Sequence, residues 1–299
     1  MDQNNENLRF KYRMLTLFPM ILLLLVQLGA SSFVQGIAMG VRIRSFSGES
    51  YVDFIEEITD IATSSAVMGA TYIVYSVIAG FIMFYLYRKN ISEDRRLIIK
   101  KPIKNMTNNP VLFLAGILLL TVGLQFAVSH LSTALAVMHP EWLYMYEYIL
   151  KTSGIDQGMS AALWIYTAVL GPVVEELTFR GVTMEYMYKS QRSDWFMIVF
   201  SALLFALVHG NPLQGITAFI VGLVLSYLMF KYDNILVPII VHIIFNSIAF
   251  VPKMVLGENN NPMVFGMGFF VSLIVSYAGL LLLIKAAKNS DKVLLKGKH

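Results

Sequence analysis

The chain predicts an all-α fold, a polytopic membrane helix bundle of about eight transmembrane helices, on three observations. It is 57% hydrophobic and only 14% charged, against about 45–50% and about 25% in ordinary soluble domains. Its apolar residues gather into runs long enough to cross roughly 30 Å of hydrocarbon. Its basic residues collect in alternate connecting segments, the pattern of positive-inside topology.

The apolar runs cover residues 15–34, 61–85, 110–130, 160–186, 195–209, 215–230, 235–251 and 263–284. The first is long, and the small residues after it (Gly29-Ala-Ser-Ser) make a weak cleavage signal, so it reads as a retained span. Segment 40–60 carries Glu49, Asp53, Glu56, Glu57 and Asp60, and its residues 51–60 suit a short amphipathic helix outside. Segment 131–157 carries Trp142, Tyr144, Tyr146 and Tyr148, rings that favour the headgroup level. Both segments read as structural. The fifth run is short, and the fourth is interrupted by Glu175 and Glu176.

Of the 23 basic residues, 18 fall on one side of this alternation: Arg9 to Arg13, Arg88 to Lys104, Lys189 with Arg192, Lys231, and the tail from Lys285 to Lys298. The other side holds Arg42, Arg44, Lys151 and Lys253, and Arg180 lies within a span. Both termini are thus expected in the cytoplasm. The net charge of +4 reflects this topology and contact with anionic membrane lipids, and nothing points to nucleic acid. With no cysteine, a thiol nucleophile, a disulfide and a Cys-ligated metal are all excluded.

The basic segment 88–109 is the natural boundary. It divides residues 1–109, a two-span hairpin with its cytoplasmic loop, from residues 110–299, a six-span bundle whose motif core spans about 160–252.

Polar residues inside the spans carry the chemistry. A carboxylate at the centre of a spanning helix costs roughly 2.5–3.5 kcal/mol on insertion scales, yet Glu175, Glu176 and Arg180 occur within six residues. Residues four apart share a helix face, so Glu176 and Arg180 pair and Glu175 points elsewhere. Gly171-Pro172 just upstream permits a kink or a loosened turn. Phe205-Ala-Leu-Val-His209 and His242-Ile-Ile-Phe-Asn246 repeat the four-residue spacing in later spans. At about 1.5 Å per residue, Glu175 and His209 lie roughly 20 Å from the cytoplasmic ends and His242 roughly 10 Å. Those depths suit one pocket, expected to open towards the cytoplasmic leaflet.

Each feature alone has a plainer reading. A buried Glu–Arg pair is more often a clamp than a catalyst, and a single intramembrane His often bonds a backbone carbonyl. Their co-occurrence in three of four consecutive spans favours a site, because lipid cannot satisfy polar groups and drives them to the bundle interior.

The three motifs, Glu175-Glu-Leu-Thr-Phe-Arg180-Gly, Phe205-x-x-x-His209 and His242-x-x-x-Asn246, resemble the signature of the CAAX protease and bacteriocin-processing (Abi) family. These are intramembrane endopeptidases related to the type II CAAX prenyl proteases. The resemblance covers about residues 160–250. It implies that Glu175 is the general base that activates water, and that His209 holds that water or assists its deprotonation. It further implies that His242 and Asn246 donate to the oxyanion, with Glu176 and Arg180 as supporting ion pair. A carboxylate in a water-poor pocket is a competent base, and oxyanion donors in a dry site are worth about 2.7–4 kcal/mol each.

A metal-free mechanism without a cofactor is favoured. Zinc is the alternative, with Glu175, His209 and His242 as its three ligands, although the H-E-x-x-H pair of zincins is absent. The expected partner is a polypeptide with a membrane-embedded or lipid-proximal cleavage site, and the expected location a bacterial plasma membrane. A non-catalytic scaffold or bacteriocin-immunity protein is the alternative function. A proton-coupled transporter ranks lower, since repeated halves with broken helices are not evident.

Overall fold

The computed structural model describes residues 3–44, 46, 50–91, 106–155, 158–256 and 261–288. Glu49, the basic residues Arg95, Arg96, Lys100, Lys101 and Lys104, and the lysines from 292 onwards lie outside these residues. Among the described residues there are twelve helices and no strand.

Polar caps and prolines punctuate the chain. Helices α1 (Gln3–Leu15) and α2 (Phe18–Ile43) are separated near Pro19, which is tolerated in a first turn but not within a helix. The acidic segment forms the amphipathic α3 (Tyr51–Thr63), as expected, and Ser64 caps α4 (Ser65–Asn90) by accepting from the Val67 amide. Asn109 and Pro110 start α5 (Pro110–Met138), and the aromatic segment forms α6 (Pro140–Thr152). The motif helix α7 runs over Ala161–Lys189. Then come α8 (Asp194–Leu207), α9 (Pro212–Tyr232), α10 (Leu236–Ser247), α11 (Val251–Leu256) and α12 (Pro262–Ala286).

Seven stretches are long and apolar enough to cross a membrane, and α8 is a shorter eighth. Its 14 residues reach only about 21 Å at 1.5 Å per residue. Large apolar side chains such as Leu25, Phe81, Leu118 and Phe270 cover the outside of the bundle. The chain is a multi-pass membrane protein.

Contacts fix the alternation. At one end Tyr12 stacks on Tyr186, Asn90 reaches the Tyr186 hydroxyl, and Thr107 donates to the Ala286 carbonyl. At the other, Ser65 donates to the Gly158 carbonyl, and His130 meets Phe265 edge to face. The first end carries Lys89, Lys189, Lys231 and Lys285 at helix termini; it is called the basic end below.

Two apolar clusters build the interior. One joins α2, α4, α7 and α8 through Leu23, Tyr75, Met83, Phe179 and Phe205, so the N-terminal hairpin packs directly on the motif helix. The other joins α5, α9, α10 and α12 through Ile117, Leu120, Leu225, Val241 and Leu283. There, α5 and α12 touch backbone to backbone. A Cβ on Gly279 would sit 2.2 Å from the Leu120 nitrogen, and one on Gly123 would sit 2.4 Å from that of Ser276. Close approach through small residues is the usual way for spanning helices to associate.

Candidate active site

Helix α7 places both glutamates, and it is not a regular α-helix. Its backbone widens to π geometry over Tyr166–Leu170 and again over Leu177–Thr183, with α-helical Gly171–Glu176 between. The cause is local. The Gly171 amide bonds the Tyr166 carbonyl, five residues back, and Pro172 has no amide to offer Thr167. The orphaned Thr167 carbonyl is met from another helix, by Nδ2 of Asn246 at 2.9 Å. The loosened turn expected at Gly171-Pro172 is present, and it ties α7 to α10. Single π turns of this kind recur at functional sites.

On one face of α7 lies a dry ionic core. Glu176 and Arg180 are fully buried, with Arg180 Nη1 donating to Glu176 Oε1 at 2.8 Å. Arg180 also donates from Nε to Ser226 Oγ (3.2 Å) and from Nη2 to the Gly222 carbonyl (3.0 Å), both on α9. Its guanidinium lies 4.6 Å from the Phe205 ring centroid. The same Oε1 receives Nδ1 of His242 at 2.8 Å. Because a carboxylate only accepts, His242 carries its Nδ1 hydrogen there, and in the neutral ring Nε2 is left as an acceptor. Glu176 is therefore more than a partner for Arg180: it orients His242.

The other face looks into a cavity of about 470 Å³. Glu175 is partly exposed to it, with Oε2 3.7 Å from His242 Nε2, too long for a hydrogen bond. His209, just past the end of α8, bonds through Nδ1 to the Phe205 carbonyl at 2.8 Å. That bond holds the ring with Nε2 free to accept. Phe205 is the aromatic post between these groups, edge to face with His209 at 4.9 Å and with His242 at 5.6 Å. Glu175, His209, His242 and Asn246 all line this one cavity, so the four residues singled out in the sequence come together. Glu176 and Arg180 form the expected ion pair behind them.

One expectation is overturned. The cavity wall is made by residues 125–136 of α5, 213–221 of α9 and 242–249 from α10 onwards, together with Leu143 and Tyr146 of α6. Each of these is the part of its element remote from the basic end. The cavity therefore leads away from the expected cytoplasmic side. Counting depth along single helices finds the level of Glu175 but says nothing about which side of that level is empty.

Three features escaped the sequence reading. Gln125 of α5 lines the cavity; it is an amide side chain within a largely apolar run, and that signal was available. Tyr75 and Tyr166 stand edge to face at 6.3 Å, within electrostatic reach of Glu175. Tyr146 of α6 is pushed above the usual phenol range by burial and lines the cavity as a neutral hydroxyl. As for zinc, Glu175, His209 and His242 share the cavity, and each histidine bonds through Nδ1, which leaves Nε2 as the nitrogen that could meet a metal. Among the described residues, no group of three such side chains is placed to hold a metal ion.

Residues 157–248 match the family model of the Type II CAAX prenyl endopeptidase Rce1-like proteins. Over about a third of the chain, the motif core is similar to the CAAX endopeptidase family. No curated protein and no solved structure matches the chain. The CAAX endopeptidase match begins just before α7 and ends after α10, so it contains both faces of the glutamate pair. It leaves out the N-terminal hairpin and α5, although α5 walls the cavity. The family is one of proteases, and the substrate class it implies is a polypeptide.

Proposed function

We propose that the protein is an intramembrane endopeptidase that hydrolyses a peptide bond with water activated by Glu175. The carrying observation is that Glu175, His209, His242 and Asn246, from three separate stretches of chain, line one cavity while Glu176 and Arg180 are sealed behind it.

In this reading a water lies between the Glu175 carboxylate and Nε2 of His209. Its oxygen attacks the scissile carbonyl carbon, the carbonyl electron pair moves onto oxygen, and Glu175 takes the proton. His242 Nε2, close beside Glu175, can receive that proton. Only then does it become a donor towards the oxyanion, its Nδ1 hydrogen being held by Glu176. Asn246 has one amide hydrogen on Thr167 and a second for the oxyanion. Collapse of the tetrahedral adduct breaks the C–N bond, and the stored proton leaves with the amine. A positioned base contributes about 10²–10⁴-fold, and one oxyanion donor about 10²–10³-fold.

The substrate class is a membrane-associated protein or a peptide; in a bacterial plasma membrane these would be leader peptides, pheromones or small membrane proteins. The test is peptide processing in membranes by wild type, Glu175→Gln and His209→Ala at matched expression, with and without a strong zinc chelator. Loss in both variants with a chelator-insensitive wild type supports the glutamate mechanism. Loss on chelation, restored by zinc, replaces it with a metal-bound water. Full function in both variants leaves the non-catalytic scaffold as the better reading.

A further inference from the structure

The cavity has a second polar feature that the proposed chemistry does not use. Gln125 is only 7% exposed, lines the cavity, and its Oε1 has no hydrogen-bond partner. A buried acceptor left unmade costs about 1–3 kcal/mol, and within a membrane no lipid can relieve it. Ser129, Ser132 and Thr133 continue the same face of α5 along the cavity wall. Opposite them on α9, Gln214 accepts from Asn211, and Thr217 bonds back to its own helix. Gln125 Oε1, by contrast, is left without a donor.

We infer that the α5 wall is the substrate-backbone subsite, in which Gln125 Oε1 accepts a main-chain N–H of an extended polypeptide. The substrate enters from the face opposite the basic end. This rests on the endopeptidase reading for its chemistry, but not for its geometry. A peptide strand offers N–H groups along its whole length, and strand-like capture through main-chain bonds is a common recognition mode. An alkyl or prenyl chain offers no donor and would leave Gln125 orphaned. The stretch from 125 to 136 is about 16 Å long at 1.5 Å per residue, which matches about five residues of extended chain. Gln125 lies outside the matched residues 157–248.

The test separates binding from turnover. Full-length Glu175→Gln, purified in nanodiscs, is titrated with a pool of fluorescent random decapeptides. The tightest binder is then resynthesised with each backbone amide N-methylated in turn. One position is expected to weaken binding about tenfold, the value of one buried hydrogen bond. In Glu175→Gln combined with Gln125→Leu, binding is expected to be about tenfold weaker from the outset, with no further loss at that position. Gln125→Glu, which keeps an acceptor oxygen, should retain the N-methyl sensitivity and guards against a folding defect in the leucine variant.

Several results overturn the inference: no decapeptide binding at millimolar concentration, affinity indifferent to Gln125→Leu, or N-methyl sensitivity that survives it. Cleavage by wild type reconstituted in vesicles should occur only when peptide is supplied to the face opposite the basic end. Cleavage solely from the basic side overturns the direction. Gln125-dependent binding without cleavage by wild type upholds the subsite and removes the endopeptidase reading; cleavage without Gln125 dependence does the reverse.

Discussion

On the α9-facing side of α7, Arg180 has a partner for each of its three nitrogens and a ring against its face, and neither it nor Glu176 is exposed. On the cavity side one residue earlier, Glu175 makes no hydrogen bond shorter than its 3.7 Å approach to His242 and retains 22% of its side-chain exposure. The same functional group, displaced by about 100° around one helix, is structural in one setting and reactive in the other. The difference lies in what the neighbours do with their hydrogens. His242 faces both sides at once, with Nδ1 on the dry carboxylate and Nε2 towards the free one. A sealed ionic core is thus the means by which an open site is held in register.

The largest effect expected from disturbing this contrast is Glu176→Gln. Neutralising Glu176 leaves Arg180 as an uncompensated buried cation, a change that costs roughly 3–5 kcal/mol in buried pairs. It also removes the charge that holds His242. Thermal unfolding in detergent should show a large loss of stability, with activity falling alongside it. Glu176→Gln with an unchanged melting temperature would break the comparison at its root.

Glu175→Gln, the same chemical change one residue earlier, should do the opposite. No hydrogen bond or buried pair is lost, so stability should stay within about 0.5 kcal/mol of wild type. Peptide cleavage should fall by about 10²–10⁴-fold, the contribution of a positioned general base. Melting temperature and turnover measured on the same two preparations decide the matter. A destabilised Glu175→Gln, or one that still cleaves, would mean the two glutamates share a structural role.

How far this contrast is legible in the sequence depends on the range of each interaction. The Glu176–Arg180 pair follows from i, i+4 spacing within one helix. The meeting of Glu175, His209 and His242 follows from the rule that polar groups in spans converge inward. Helices α3 and α6 were marked by acidic and aromatic composition. What the sequence does not display are the interactions between distant segments. The Asn246 amide serves Thr167 because Pro172 lacks an N–H, and that link joins residues 79 positions apart. The direction of the cavity depends on where four separate elements leave space, which no single periodicity encodes. Gln125 was visible as a polar residue in an apolar run, but only its burial beside Glu175's cavity gives it meaning.

Asn246→Ala tests that long-range link at intermediate strength. It strands the Thr167 carbonyl at the π turn, which should cost about 1–3 kcal/mol of stability. It also removes one oxyanion donor, worth about 10²–10³-fold in turnover. Asn246→Asp separates hydrogen bonding from packing: lacking amide donors, it should lose both the Thr167 bond and the oxyanion contact while keeping the side-chain volume. If either variant lost turnover with no loss of stability, Asn246 would belong wholly to the open face.

The smallest effect lies deepest in the dry face. Ser226 is fully buried and accepts the Arg180 Nε hydrogen at 3.2 Å. Ser226→Ala removes that acceptor but leaves the Glu176 and Gly222 contacts, so Arg180 keeps two of its three partners and its counter-ion. A loss of about 1–2 kcal/mol is expected, read as a modest fall in melting temperature with the cleavage rate per folded molecule unchanged. The second half of that expectation is the sharper one. Glu176 holds His242 through Oε1, the same oxygen that Arg180 Nη1 grips, so Arg180 reaches the site only through that oxygen. If the guanidinium is anchored by its carboxylate, losing Ser226 moves nothing at the cavity and turnover holds. If turnover falls while the protein stays folded, the position of Arg180 on α9 sets the position of His242, and the two faces of α7 are mechanically coupled as well as adjacent.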